Sequence, residues 1–189
     1  MVSAESNLTG TSSPTLAPYN GFDGQYIGGS WRQGSLGTKS IDKDPYSGEV
    51  VAEIIECNQT DLDEAYRTAA KAQITWSSAA PAARAAVMLR AVSIMDARHA
   101  EIIDWLIRES GGTRLKAEAE FQSVRWITLE AATFPNRVEG RILASDELGK
   151  ESRSYSLPLG VIGVISPWNI RCIFLSAQSR PPLPWGTPW

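Results

Sequence analysis

The sequence predicts an incomplete doubly wound α/β fold, and three observations support that prediction. Aromatic and β-branched runs separated by glycine turns occupy residues 25–55, as expected of short strands. Consecutive helical patterns without intervening strands then fill residues 60–132. A short apolar, β-branched run follows at residues 161–165, with the composition of a strand buried on both faces. Such a strand belongs to a parallel sheet, whose ligands bind beyond the carboxyl ends of its strands.

Length and composition limit the class of protein. With 189 residues and 43% hydrophobic side chains, the chain is long enough to bury one sizeable core. A net charge of −3 with no basic cluster argues against a nucleic-acid-binding surface, and no apolar stretch is long enough to cross a membrane. Cys57 and Cys172 provide neither a disulfide framework nor metal-ligand spacing, so we expect a cytoplasmic location and no metal.

The first part of the chain divides into a leader and a set of strands. Residues 1–22 are rich in Ser, Thr and Pro and lack a basic start, which predicts a disordered leader and not a signal peptide. Residues 23–136 are expected to form the first part of the folded domain, with strands before helices. Strands are expected at residues 25–31, 39–41 and 50–55.

Four helices are expected after the strands. Thr60 is the predicted N-cap of the first helix, which reaches about Lys71. Pro81 suits the first turn of the second helix, Gly111 stops the third, and the fourth spans residues 115–132. The side chains expected to face the core at helical spacing are Leu89, Val92, Met95, Ile102, Ile103, Leu106, Ile107, Phe121, Val124, Ile127 and Ala131.

Two residues of catalytic type lie in this region without a catalytic setting. His99 is the only histidine, and it lies among charged residues with no neighbouring nucleophile. We interpret it as a solvated side chain. Cys57 follows the third predicted strand and is interpreted as a thiol at a strand end, not as a nucleophile.

The apolar run and the residues after it form the most distinctive motif of the sequence. Residues 159–169 read Leu-Gly-Val-Ile-Gly-Val-Ile-Ser-Pro-Trp-Asn. This motif resembles the first nucleotide-binding strand and the Pro-Trp-Asn loop of the NAD(P)-dependent aldehyde dehydrogenases, and the resemblance extends back to about Tyr26. It implies that residues 158–170 begin a Rossmann-like NAD-binding domain. For the loop taken alone, the alternative is a core aromatic, Trp168, before an ordinary turn residue, Asn169.

The resemblance implies a role for each residue of the loop. Asn169 would be the catalytic oxyanion donor, because its neutral amide can stabilise the negative charge that develops when a cysteine attacks an aldehyde. The resemblance also implies NAD or NADP as the cofactor and a small-molecule aldehyde as the substrate. The implied cofactor contacts are Ile165, Ser166, Pro167 and Trp168.

Residues 137–157 precede the motif and resemble part of the family's bridging domain. Residues 152–157 alternate polar side chains with Tyr155 and Leu157, which is typical of an exposed antiparallel strand. The resemblance implies a homo-oligomer formed through this strand, because an unpaired strand edge needs a partner. Residues 137–143 also resemble family members that act on aromatic aldehydes.

Residues 171–189 depart from the family pattern, because their prolines are too frequent for a helix or a central strand. If one base is restored after the codon of Ile170, permitted synonymous codons allow the shifted frame to read PLYLS-x-RSVAPALALGNAV. The shifted codon that spans Trp185 and Gly186 must encode glycine. That continuation resembles the family, so we expect a frameshifted tail caused by a sequencing error, a decayed gene or a real mutation.

These expectations together describe a truncated aldehyde dehydrogenase that is itself inactive. The family reaction is the NAD(P)+-dependent oxidation of an aldehyde to a carboxylic acid, which needs a cysteine nucleophile and a glutamate that activates water. Neither the Gly-Gln-x-Cys setting of that cysteine nor the glutamate motif occurs in the 189 residues. Two alternatives stay open: a non-catalytic interaction partner of full-length subunits, and a decayed open reading frame without function.

Overall fold

The structure is a computed structural model that describes residue 21, residues 23–167 and residue 169. The expectations for the leader, apart from Gly21, and for the tail at residues 171–189 lie outside the described residues. The proposed division of the chain into domains stays a prediction. No helix in the described ranges combines the length and the apolar character needed to span a membrane.

Six short strands form three separate antiparallel pairs. They are β1 (Gln25–Ile27), β2 (Ser30–Arg32), β3 (Lys39–Lys43), β4 (Val50–Ile55), β5 (Gly140–Leu143) and β6 (Ser152–Tyr155). β1 pairs with β2, β3 with β4, and β5 with β6. The single strand expected at residues 25–31 is a tight hairpin instead, because Gly28 and Gly29 adopt φ of 63° and 89° and reverse the chain.

Four α-helices follow one another between β4 and β5. They are α1 (Gln59–Ser78), α2 (Pro81–Ala97), α3 (His99–Ser110) and α4 (Arg114–Thr133). Pro81 opens α2, and Gly111 ends α3 with a φ of 64°, both as the sequence predicts. The predicted N-cap Thr60 is wrong. Asn58 caps α1, because its side chain accepts a hydrogen bond from the backbone N–H of Asp61, whose carboxylate accepts one from the Asn58 N–H.

The hydrophobic core lies between α3 and α4. Its buried cluster consists of Ile103, Leu106, Ala117 and Phe121, and Met95, Ile102 and Ile107 pack against it. The expectation for Leu89 is wrong, since this side chain is 51% exposed. Residues three apart on a helix fall about 60° short of a full turn from one another. A series of residues at this spacing therefore drifts around the helix, and its members cannot all face the core.

Residues 158–167 contain no β-strand, although the sequence predicts a strand buried on both faces at residues 161–165. Ile162 and Ile165 are exposed. A parallel strand needs neighbours that take up its backbone N–H and C=O groups, and no described strand pairs with this segment. Within the described ranges the chain is therefore a partial α/β fold, and the doubly wound sheet is not formed there.

Candidate functional site

The predicted site is the loop that follows the apolar run. Ile165 is 96% exposed, Ser166 is exposed and Pro167 is half-buried. Asn169 lies exposed in a turn, whereas Trp168 lies outside the described residues. The side chains of Ile165 and Asn169 are therefore accessible to a ligand.

Helix α1 contacts the apolar run at residues 161–163 that leads into this loop. Val161 lines an open groove together with Ala69, Ala72 and Trp76 of α1. Two residues further along, the backbone approaches α1 so closely that a Cβ atom on Gly163 would lie 2.2 Å from the Oη atom of Tyr66. In the described part of the chain, contacts with α1 position this run in place of strand pairing.

A cluster of polar residues, here called the Asp61 cluster, fixes the start of α1 to the amino-terminal hairpin. Its members are Arg32, Ser35, Asn58 and Asp61. The carboxylate of Asp61, a residue only 2% exposed, accepts hydrogen bonds from Arg32 Nη1 at 2.8 Å and from the backbone N–H of Ser35 at 2.8 Å. It also accepts one from the Asn58 N–H at 3.0 Å. A buried carboxylate with this many donors is stable only in its charged form.

The electrostatics of the Asp61 cluster follow from those donors. The backbone N–H groups of Asn58 and Ser35, assisted by the Arg32 guanidinium, hold the pKa of Asp61 well below its ordinary range, although burial acts in the opposite direction. Glu64 on the next turn of α1 accepts a second hydrogen bond from Arg32, at 2.7 Å. The start of α1 is thus fixed by a charged network that depends on an ionised Asp61.

Cys57 and His99 both make contacts with neighbouring side chains that help to hold the fold together. The thiol of Cys57 donates to Oε1 of Gln25 at 2.6 Å, and partial desolvation together with the Asp61 carboxylate raises its pKa. A raised pKa disfavours the thiolate that a nucleophile needs. The side chain of His99 is solvated in part, being 37% exposed, and it also makes two contacts. Its Nε2 atom lies 2.8 Å from Oε2 of Glu118, and its ring meets the ring of Phe121 edge-on with centroids 4.5 Å apart.

A metal centre is not part of the site in the described residues. These ranges contain no group of three or more His, Cys, Asp or Glu side chains that could hold a metal ion. The loop can offer hydrogen bonding by the Asn169 amide and apolar contact by side chains such as Ile165.

The sequence matches the model of the aldehyde dehydrogenase family over residues 31–187. The chain belongs to the aldehyde dehydrogenase family. The matched range covers most of the chain and extends into the segment for which the sequence predicts a shifted reading frame. The recognition based on residues 159–169 is therefore confirmed at the level of the family.

Two of the similar relatives are enzymes named for aromatic aldehydes. A vanillin dehydrogenase of Corynebacterium glutamicum is 43% identical over 155 residues, which are 81% of this chain and 32% of that protein. A benzaldehyde dehydrogenase of Bacillus subtilis is 42% identical over 164 residues, which are 87% of this chain and 34% of that protein. The chain spans about a third of the length of these curated relatives.

A solved structure shows where the described elements belong in the aldehyde dehydrogenase fold. The crystal structure of an NAD-dependent benzaldehyde dehydrogenase from Corynebacterium glutamicum matches with a TM-score of 0.80 and 41% identity. The match covers 86% of this chain and 35% of that one. The strands and helices described above are thus an amino-terminal part of the aldehyde dehydrogenase fold, which confirms the predicted fold class.

The expected cofactor, NAD or NADP, is also confirmed at the level of the family, since the solved structure that matches with 41% identity is named as NAD-dependent. Two residues of the predicted loop are accessible to a ligand of this kind. The side chain of Ile165, which is 96% exposed, offers an apolar surface to a flat ring, and Asn169 offers an accessible amide beyond it.

Tyr66 and the Asp61 cluster were missed by the reasoning from sequence, although each has a signal. Tyr66, Ala69 and Trp76 recur at helical spacing, which marks the face of α1 that meets residues 161–163. Asn58 is followed three residues later by Asp61, which is the spacing of a capping box. The role of Arg32 has no comparable local signal, because its partners lie about thirty residues away.

Proposed function

We propose that this chain is the amino-terminal third of an NAD(P)+-dependent aldehyde dehydrogenase that acts on aromatic aldehydes in the cytoplasm. The observation that carries the proposal is the identity of 43% and 42% to a vanillin and a benzaldehyde dehydrogenase over most of this chain. The reaction is the oxidation of an aldehyde to a carboxylic acid. We further propose that the 189 residues alone do not catalyse it.

The roles proposed for the loop are those that the family resemblance implies, and the exposure of Ile165, Ser166 and Asn169 supports them. The side-chain amide of Asn169 donates a hydrogen bond to the aldehyde oxygen as that oxygen gains negative charge, which lowers the barrier without moving a proton. Ile165, Ser166, Pro167 and Trp168 contact the cofactor, and the fixed φ of Pro167 limits the freedom of the loop. The bound cofactor supplies the acceptor for the hydride that the substrate carbon loses.

The proposed inactivity of the 189 residues rests on what the reaction requires. An oxyanion donor lowers the barrier only when a nucleophile attacks the carbonyl carbon, and the printed sequence holds no cysteine in the family's Gly-Gln-x-Cys setting. We propose that one base is missing after the codon of Ile170. Restoring it gives a frame that resembles the family's continuation, and residues 171–189 are then a frameshifted tail.

The experiment compares the 189-residue chain with the frame-restored protein, in which the missing base is supplied and translation continues in that frame. NADH formation is measured with benzaldehyde and vanillin, and with acetaldehyde as an aliphatic comparison. We expect activity with the aromatic aldehydes from the frame-restored protein only. Activity of the 189-residue chain would refute the proposed inactivity, and a folded but inactive frame-restored protein would refute the proposed reaction.

Asn169→Ala in the frame-restored protein tests the role of the loop. We expect kcat to fall by about 10²–10³-fold, the usual effect of removing one oxyanion donor. Asn136→Ala is the matched control, because Asn136 is an exposed asparagine at the end of a 3-10 turn after α4. A folded Asn169→Ala variant with the kcat of the parent protein would remove Asn169 from the catalytic machinery.

A second candidate function is favoured by the exposed hairpin of β5 and β6. All four residues of β6 are exposed, and among the described strands β6 pairs only with β5. A strand with one unpaired edge is a template for pairing with another chain. The chain would then act as a non-catalytic partner of full-length aldehyde dehydrogenase subunits, and co-purification with such a subunit distinguishes this candidate from the first.

A further inference from the structure

The close contact between Gly163 and Tyr66 joins helix α1 to the segment that carries the proposed site. Tyr66 lies in the first half of α1, and Gly163 lies two residues before Ile165 and six before Asn169. The aromatic side chain reaches across from the helix, so that its Oη atom occupies the space where a side chain at residue 163 would begin. Movement of Tyr66 would therefore displace the backbone immediately before the loop.

Space, and not backbone conformation, is the reason for a glycine at residue 163. Gly163 is absent from the glycines with positive φ, so its backbone conformation is open to alanine as well. An added Cβ would, however, lie 2.2 Å from Tyr66 Oη, a distance that real atoms do not adopt. The next nearest atom is Tyr66 Cζ, at 3.5 Å, which is an ordinary van der Waals contact. Removal of the hydroxyl oxygen alone would make room for a methyl group.

We propose that Tyr66 is a positioning residue for the loop at residues 165–169, acting through contact of its hydroxyl oxygen with Gly163. The hydroxyl fills the space above Gly163 and sets how closely the chain approaches α1. That distance in turn fixes where Asn169 and the cofactor-contacting residues lie. The proposed consequence for catalysis rests on the proposed function, whereas the contact itself does not.

Four variants test the contact as a cycle: Tyr66→Phe, Gly163→Ala, the double variant, and Tyr46→Phe as the control. Tyr46 is 96% exposed in the turn between β3 and β4 and has no part in the contact. Gly163→Ala should break this contact, because the Cβ and the Tyr66 hydroxyl cannot occupy the same space, so that either the Tyr66 side chain turns away or the segment moves. In the double variant the alanine methyl replaces the lost oxygen, so the segment should return to its original position.

The first readout is limited proteolysis of the 189-residue chain with chymotrypsin, with the cleavage products identified by mass spectrometry. We expect faster cleavage in residues 158–169 for Tyr66→Phe and for Gly163→Ala, and recovery towards the original rate in the double variant. Cleavage within the core helices α3 and α4 reports global destabilisation and should stay unchanged. If the alanine has the same effect with and without the Tyr66 hydroxyl, or cleavage in the core helices changes equally, the proposal is overturned.

The second readout is kinetic and uses the frame-restored protein. Gly163→Ala should lower kcat by roughly tenfold to a hundredfold, since a misplacement of about 1 Å is enough for such a loss. The double variant should recover most of that activity, and Tyr46→Phe should match the parent. If the parent protein has no activity with any aldehyde, the proposed function fails, while the proteolysis measurement still decides the role of Tyr66.

Discussion

Asp61 combines burial, charge and complete hydrogen bonding at a single residue. Its carboxylate accepts from Arg32, Ser35 and Asn58, so that one side chain caps α1 and attaches it to β2. Arg32 donates at the same time to Glu64 on the next turn of the helix. These donors bind the ionised carboxylate of Asp61 more strongly than the protonated carboxyl group. The packing of α1 therefore depends on the protonation state of Asp61.

The Asp61 cluster predicts an acid-sensitive start of α1. The folded-state pKa of Asp61 is lowered, so its contribution to stability is complete above the ordinary carboxyl pKa of about 4 and is lost progressively as the pH falls below it. Asp61→Asn should therefore increase hydrogen exchange at the start of α1 at neutral pH, and the difference from the parent should shrink on acidification. Exchange rates are corrected for the intrinsic effect of pH.

Asp63→Asn is the control for this experiment, because Asp63 is exposed in the same helical turn and accepts a hydrogen bond from the side chain of Gln59, outside the Asp61 cluster. We expect it to exchange like the parent at every pH. A constant difference between Asp61→Asn and the parent across the pH range would show that the cluster does not depend on ionisation.

Individual residues differ in how well the sequence predicts them. Gly111 and Pro81 act locally, through a left-handed φ and a missing N–H, and both were predicted correctly. The contacts of His99 were not predicted, because its partners Glu118 and Phe121 lie on the next helix, about twenty residues further along. Contacts of this kind become visible only when the packing of the helices is known.

At the scale of secondary structure, the elements stabilised by local signals agree with the sequence. β4 spans Val50–Ile55 as predicted, and α3 and α4 have the expected core faces. The run at residues 161–165 does not form its predicted strand, since a strand depends on hydrogen bonds from neighbours that the described residues do not provide. The sequence pattern predicts the type of such an element, whereas its formation requires the rest of the sheet.

The hairpin of β5 and β6 provides a test of the second candidate function. If β6 pairs with a full-length aldehyde dehydrogenase subunit, the 189-residue chain should co-purify with that subunit when both are expressed together. Ser154→Pro should abolish the association, because proline removes a backbone N–H from the exposed strand and restricts its conformation. Leu148→Pro, in the fully exposed loop between the two strands, is the control.

Either of two results would exclude pairing through β6. One is the absence of co-purification with the unmodified chain, and the other is co-purification that survives Ser154→Pro. The second result would place any association at another surface of the molecule. Loss of binding with Leu148→Pro as well would show that the whole hairpin, and not its edge, is required.

At the scale of the molecule, the described elements bury one compact cluster but leave many large apolar side chains exposed. Among them are Ile74 of α1, Trp126 of α4, and Leu159 and Ile165 in the segment that leads to the loop. Apolar side chains in these numbers mark surfaces that pack against further structure. This supports the proposal that the chain is part of a larger aldehyde dehydrogenase, of which the match to the solved benzaldehyde dehydrogenase covers 35%.

The family, the fold class and the cofactor class followed from residues 159–169 and the resemblance upstream, because that motif combines a strand composition with a loop of fixed chemistry. The position of the loop relative to α1 could not be predicted from the sequence. It depends on the contact of Tyr66 with Gly163, which joins residues almost a hundred positions apart. Sequence periodicity marks the face of α1 but gives no partner for it.

The most direct test of the central claim is an independent determination of the DNA sequence from the codon of Pro158 to well beyond the codon of Trp189. The account predicts that the frame shifted after Ile170 continues through the family's remaining motifs, including a glutamate motif and a Gly-Gln-x-Cys motif. The new sequence also shows whether the missing base is real or an error. If no such frame follows, the proposal of an interrupted aromatic-aldehyde dehydrogenase is contradicted, and residues 171–189 are the native continuation of the chain.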